Sequence, residues 1–255
     1  MTHVNLNENK EVFIFKEKNK VWDFIINEWI NISKEAIKSR GKFCVALSGR
    51  EIPFGLYRKL VDCSPTLPWD KIDIFLVDEH FVHFDRLESN YRLIQENLLD
   101  HINIPEDNVH FIDIKYYPKF CAKKYENELI RLFNLKPREF PRFDLIMLGI
   151  GEDGHTASLF PGLSVLRNRK SLVVAVDYKK VDEPRISLGF SVINNAAKVI
   201  FMVTGTNKAS IARRVIQDKD YSLPASMVET IQGKIYFLLD DEASCFLGGA
   251  KGRLV

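Results

Sequence analysis

Short, largely apolar runs of strand length recur along this chain, separated by stretches with helical spacing, and no other feature restricts its fold more. The runs are FCVALS (43–48), IDIFLVD (72–78), NVHFIDI (108–114), FDLIMLGIG (143–151), SLVVAVD (171–177), ISLGF (186–190), KVIFMVTG (198–205) and KIYFLLD (234–240). Strands that are apolar throughout, rather than alternating, read as buried on both faces. Residues 17–40 carry Trp22, Ile25, Ile26, Trp29 and Ala36 on one helical face, with Gly41 where a helix-ending glycine is favoured. Further helical stretches start near Asn90, span 121–134 and span 207–216. This alternation predicts an α/β fold: a largely parallel sheet flanked by helices on both faces. In such sheets ligands collect beyond the carboxyl ends of the strands. The segments to search for chemistry are therefore 48–53, 78–91, 149–162 and 205–208.

Composition removes several classes of function. The chain carries 36 Lys and Arg against 34 Asp and Glu, so it lacks the basic excess of a nucleic-acid binder. No apolar stretch is long enough for a membrane span, and the start, MTHVNLNENKEVF, has no secretory pattern. Cys44, Cys63, Cys121 and Cys245 match no CxxC or zinc-ligand spacing, and Cys44 sits inside an apolar run. A reducing, cytoplasmic setting is expected. Without repeats, low-complexity segments or linkers, 1–255 reads as one domain; the oligomeric state is left open.

The richest segment is GIGEDGHTASLFPG (149–162), directly after an apolar run. Gly149, Gly151 and Gly154 formally match GxGxxG, but Pro161 and Gly162 interrupt the long helix a dinucleotide fold needs. The better reading is a backbone cradle, with the glycines letting the main chain approach a ligand. A short helix starting near Thr156 would aim free N–H groups at a developing oxyanion. His155 would stand at the lip, with Asp153 two residues before it, as an imidazole able to take a proton from water.

DEHFVHFDRLESNY (78–91) places Asp78, Glu79 and His80 at a strand end, with Ser89 and Asn90 as hydrogen-bonding groups or a helix cap. His80, His83 and Asp85 show no metal-site spacing, so no metal is assigned. LSGREIPFGLYRKL (47–60) runs from strand to Ser48-Gly49 and an apparent helix start at Pro53, an arrangement suited to an anion, with Arg50 able to pair with phosphate. Arg185 and Lys208 are single cations near strand ends. Together with Arg50 they could surround a doubly negative ligand.

At these residues the sequence resembles the 6-phosphogluconolactonase family, which also includes the glucosamine-6-phosphate deaminases. The resemblance is strongest at 149–162 and extends to 78–91, PRISL (184–188), TGTNKA (204–209), LPAS (223–226) and FLLDDEAS (237–244). HTASLFPG favours the lactonase branch. The resemblance implies a Rossmann-like fold and hydrolysis of 6-phosphoglucono-δ-lactone without metal or organic cofactor. It implies that His155 is catalytic, that Asp153 is its neighbouring acid, and that Arg185 and Lys208 contact phosphate and sugar. The substrate contacts expected are Ser48, Gly49, Arg50, Asp78, His80, Asn90, Gly151, Gly154, Arg185 and Lys208. Two departures stand out. SGREIP replaces the small residues usual after SGG, and Asp78-Glu79-His80 puts a histidine where the family has arginine, a charge Arg50 could restore. The rival readings are a non-catalytic sugar-phosphate binder of the same fold and an amino-sugar-phosphate deaminase or isomerase using Asp78 as base.

Overall fold

A computed structural model describes residues 1–49, 54–177 and 183–248. In chain order its strands are β1 (Thr2–Asn5), β2 (Lys10–Phe15), β3 (Phe43–Leu47), β4 (Ile72–Leu76), β5 (Asp78–His80), β6 (Val109–His110), β7 (Leu145–Gly149), β8 (Val173–Val176), β9 (Arg185–Leu188), β10 (Lys198–Val203) and β11 (Lys234–Asp240). The α-helices are α1 (Lys18–Arg40), α2 (Phe54–Asp62), α3 (Asn90–Asn97), α4 (Pro118–Leu132), α5 (Phe190–Ile193), α6 (Ala209–Ile216) and α7 (Asp241–Ser244).

Eight strands form one sheet in the order β1-β2-β11-β10-β7-β3-β4-β6. Every pairing from β2 to β6 is parallel; only the β1–β2 hairpin is antiparallel. The expected α/β class and largely parallel sheet are therefore observed. Every residue of β4 and β7 is buried, as strands covered on both faces require. α1 lies against β2, β3 and β11, burying Trp22, Ile25, Ile26, Trp29 and Ala36 along the face the spacing indicates. Gly41 closes it, its N–H on the carbonyl of Ile37 at 2.8 Å.

The structure departs from the sequence reading in four places. β1 and β2 precede the first run the pattern detects, because β1 is mostly exposed and β2 buries only Val12, Phe13 and Phe15. Of 108–114, only Val109–His110 pairs with the sheet. The 186–190 run stops at Leu188, and α5 begins at Phe190. The 72–78 run serves two sheets. Val77 donates to the carbonyl of Leu47 at 2.9 Å and accepts from Leu188 N–H at 2.8 Å. After it, β5 joins β9 and β8 in a separate three-stranded antiparallel sheet, with Asp78 opposite Ser187 and His80 opposite Arg185. That crossover carries the chain from the large sheet to a second layer and sets the small sheet beside the carboxyl ends of β3 and β7. No helix among the described residues is long and apolar enough to cross a membrane.

Candidate active site

A cavity of about 200 Å³ opens where the large sheet's carboxyl ends meet the small sheet. Its walls come from five places. Ser48 and Gly49 follow β3, Asp78 and His80 belong to β5, and Arg185 starts β9. Asn90 begins α3, while Gly149, His155, Ala157, Ser158 and Phe160 come from the end of β7 and its loop. Of the residues expected at the site, Ser48, Gly49, Asp78, His80, Asn90, His155 and Arg185 converge on one space. Arg50 lies outside the described residues, as does Pro53 at the expected helix start.

The glycine loop is a tight turn, and no helix starts near Thr156. Leu159 N–H donates to Thr156 O at 3.0 Å in an isolated bridge, and Ala157 sits at φ +51°. The side chains divert the backbone. Thr156 Oγ1 donates to Gly149 O at 2.9 Å and Ser158 Oγ to Asp78 Oδ2 at 2.6 Å. Pro161, soon after, has no N–H to extend a helix. Gly151 and Gly154 shape the loop instead of facing the cavity. A Cβ on Gly151 would meet the His155 ring at 2.1 Å, and Gly154 holds φ +83° with its carbonyl on Ala225 N–H at 3.0 Å.

His155 is held firmly but stays accessible, with its side chain 22% exposed. Its Nδ1 lies 2.5 Å from Asp153 Oδ1, which also accepts the His155 backbone N–H at 3.0 Å. Phe160 packs on the ring at a centroid distance of 4.6 Å. With Nδ1 engaged by a carboxylate, Nε2 is the nitrogen left for a ligand. Burial works against the charge of Asp153, but hydrogen bonds from the His155 ring and amide outweigh it and hold the carboxyl below its usual range.

The β5 side is densely bonded. Glu79 is fully buried; its Oε1 accepts from His80 N–H (2.8 Å) and Asn90 N–H (2.7 Å), its Oε2 from Tyr91 N–H (2.8 Å) and Ser89 Oγ (3.2 Å). Burial pushes this carboxyl up to about 7 while the three backbone amides pull it down. Ser89 caps α3 through Arg92 N–H at 3.1 Å. Asn90 donates through Nδ2 to Asp78 O at 2.9 Å, whereas its buried Oδ1 has no hydrogen-bond partner. An orphan acceptor in a cavity wall suits a ligand hydroxyl.

Glu183 joins His80 and Arg185. Its Oε1 is 3.0 Å from His80 Nδ1 and accepts from Arg185 Nη1 at 2.9 Å. Sequence reasoning missed this, since a carboxylate beside an expected anion site carries the wrong sign. Ala157, Ser158 and Phe160 were also missed as wall residues, although they share the motif with His155. Lys208 does not line the cavity: its Nζ donates to Ile150 O at 2.7 Å. Asn207 Nδ2 donates to Glu152 Oε1 at 2.7 Å, so residues 207–208 brace the loop from outside. His83 pairs with Asp85 at 2.7 Å, away from His80, and the described residues hold no cluster of three or more His, Cys, Asp or Glu able to bind a metal.

Residues 16–237 match the family model described as glucosamine-6-phosphate isomerases/6-phosphogluconolactonase. The chain is 38% identical over 215 residues to the 6-phosphogluconolactonase of a Nostoc species, covering 83% of this chain and 88% of that one. It is 36% identical over 213 residues to the rat 6-phosphogluconolactonase, covering 82% of each. The crystal structure of the Thermotoga maritima 6-phosphogluconolactonase superimposes with a TM-score of 0.78 at 29% identity, covering 90% of this chain and 99% of that one. On this sequence match and shared architecture, the chain belongs to the glucosamine-6-phosphate isomerase/6-phosphogluconolactonase family.

Proposed function

We propose that this protein hydrolyses 6-phosphoglucono-δ-lactone to 6-phosphogluconate, the second step of the oxidative pentose phosphate pathway. The relatives' shared name supports the reaction. The observation that carries it on this chain is the His155 ring, its Nδ1 on Asp153 and its Nε2 left to the cavity.

A δ-lactone is a cyclic ester, so opening it needs one activated water and stabilisation of one oxyanion. His155 Nε2 takes a proton from the water as its oxygen bonds to the lactone carbonyl carbon. Asp153 keeps the ring oriented. Backbone N–H groups of the loop stabilise the negative oxygen. When the bond to the ring oxygen breaks, His155 returns the proton to it, so water is consumed and the base regenerated. His80 and Arg185 bind the phosphate end, with Arg50 a further candidate. Asn90 Oδ1 accepts from a sugar hydroxyl, and Ser48, Gly49 and Asp78 complete the ring's surroundings. Gly151, Gly154 and Lys208 act by shaping and bracing the loop. Anchoring the phosphate away from the reacting carbon fixes the carbonyl against His155.

The test is lactone hydrolysis measured against the spontaneous rate. His155→Ala should lower turnover by about a hundred- to ten-thousand-fold, the usual worth of general acid–base action, while the melting temperature stays close to wild type. Wild-type protein that binds 6-phosphogluconate without accelerating lactone opening would make it a binder. Ammonia release from glucosamine 6-phosphate would make it a deaminase.

A further inference from the structure

Asp78 belongs to the small sheet, whereas His155 stands on the loop that leaves the large one. One residue joins the two. Ser158 is 1% exposed, lines the cavity and donates its hydroxyl to Asp78 Oδ2 at 2.6 Å. The Ser158 N–H donates to Ser187 Oγ at 3.2 Å, and Ser187 Oγ donates in turn to Leu188 O at 3.0 Å. Ser187 is fully buried and sits opposite Asp78 in the β5–β9 register. The turn that delivers Ser158 holds Ala157 at φ +51°, a conformation that side chains with a Cβ disfavour and that persists only where the surroundings enforce it. Only Thr156 and Ala157, in constrained backbone, therefore separate the proposed base from the clamp on Asp78.

We propose that Ser158 is a positioning residue that fixes the Asp78 carboxylate relative to His155, so that a sugar hydroxyl held by Asp78 places the lactone carbonyl in front of the imidazole. This rests on the lactonase reading. Ser158 acts through Asp78, and Ser187 acts through Ser158. The phosphate end is held elsewhere, by His80 and Arg185, so loosening the clamp disturbs alignment more than binding.

The experiment is a double-mutant cycle with Ser158→Ala, Asp78→Asn and their combination, reading kcat, KM and melting temperature. Ser158→Ala should lower kcat about tenfold, in keeping with one hydrogen bond to a charged group, and leave KM within about threefold. In the Asp78→Asn background the same change should cost almost nothing more. Ser187→Ala, outside the cavity, should lower kcat in the same direction but less, and decides the matter if Ser158→Ala does not fold. Losses that multiply independently, or a lower melting temperature with unchanged kcat, would overturn the proposal. Wild-type turnover equal to the spontaneous rate would instead remove the lactonase reading. The positioning role, which acts on the lactone carbonyl, would fall with it, whereas normal wild-type turnover with independent losses in the cycle would remove the positioning role alone.

Discussion

At the scale of single residues, His155 owes its setting to what is missing beside it. Gly151 lies directly under the ring, and an added methyl would sit 2.1 Å from both Cε1 and Nδ1. Gly151→Ala must therefore push the imidazole off Asp153. A displacement of this kind far exceeds what a catalytic geometry tolerates, so turnover should fall about a hundredfold, with circular dichroism unchanged. Wild-type turnover in that variant would show that the ring's placement does not matter. The histidine, its acid and the glycines were all legible in the motif, because their spacing along the chain is short. Glu183 was not. It meets His80 across more than a hundred positions of sequence, a contact that only the β5–β9 pairing creates.

At the scale of elements, α3 is tied to β5 through one buried carboxylate. Glu79 accepts the first two N–H groups of α3, those of Asn90 and Tyr91, where the helix dipole also favours negative charge. Glutamine would present an amide NH₂ to some of these donors and leave them unpaired. Glu79→Gln should lower the unfolding free energy by about 1–3 kcal/mol in a urea titration, the penalty for buried unsatisfied donors. It should also raise KM, since Asn90 rides on the same turn. An unchanged urea midpoint would show the cap to be dispensable. The central strands of the large sheet were readable because apolar residues dominate each of them. β5 was not separable from β4, because IDIFLVD runs on without a break and only Val77's hydrogen bonds to both layers mark the crossing.

At the scale of the whole molecule, the sheet end opposite the cavity carries its own ionic cluster. His110 is buried between Asp73 (Nε2 to Oδ1 3.9 Å) and Glu128 (Nδ1 to Oε1 3.0 Å), stacked on Phe75, while Lys42 reaches Asp73 at 2.9 Å. Burial disfavours the charged ring, but the two carboxylates outweigh it and raise its affinity for a proton above the ordinary value of 6.5. A histidine that binds its proton more tightly when folded contributes stability that is complete below pH 6.5 and is lost as pH rises through the folded value. The raised Glu79 carboxyl has the same sign, its contribution fading from 4.5 up through about 7. The melting temperature should therefore fall as pH rises, from 4.5 upward through Glu79 and above 6.5 through His110, and His110→Gln should flatten the part of the slope above 6.5. A slope left intact in the variant would show that His110 plays no part in it. The sequence by itself determined the α/β class, the order of most buried strands and the loop that bears His155, because burial pattern and close motif spacing are written locally. Only the tertiary structure decided that β5 leaves the large sheet, that Lys208 braces the loop from outside, that Ser158 lines the cavity, and that Glu183 bonds two of its wall residues. Those contacts link residues far apart in sequence, and the hydrogen bonds that direct them exist only once the two sheets have packed.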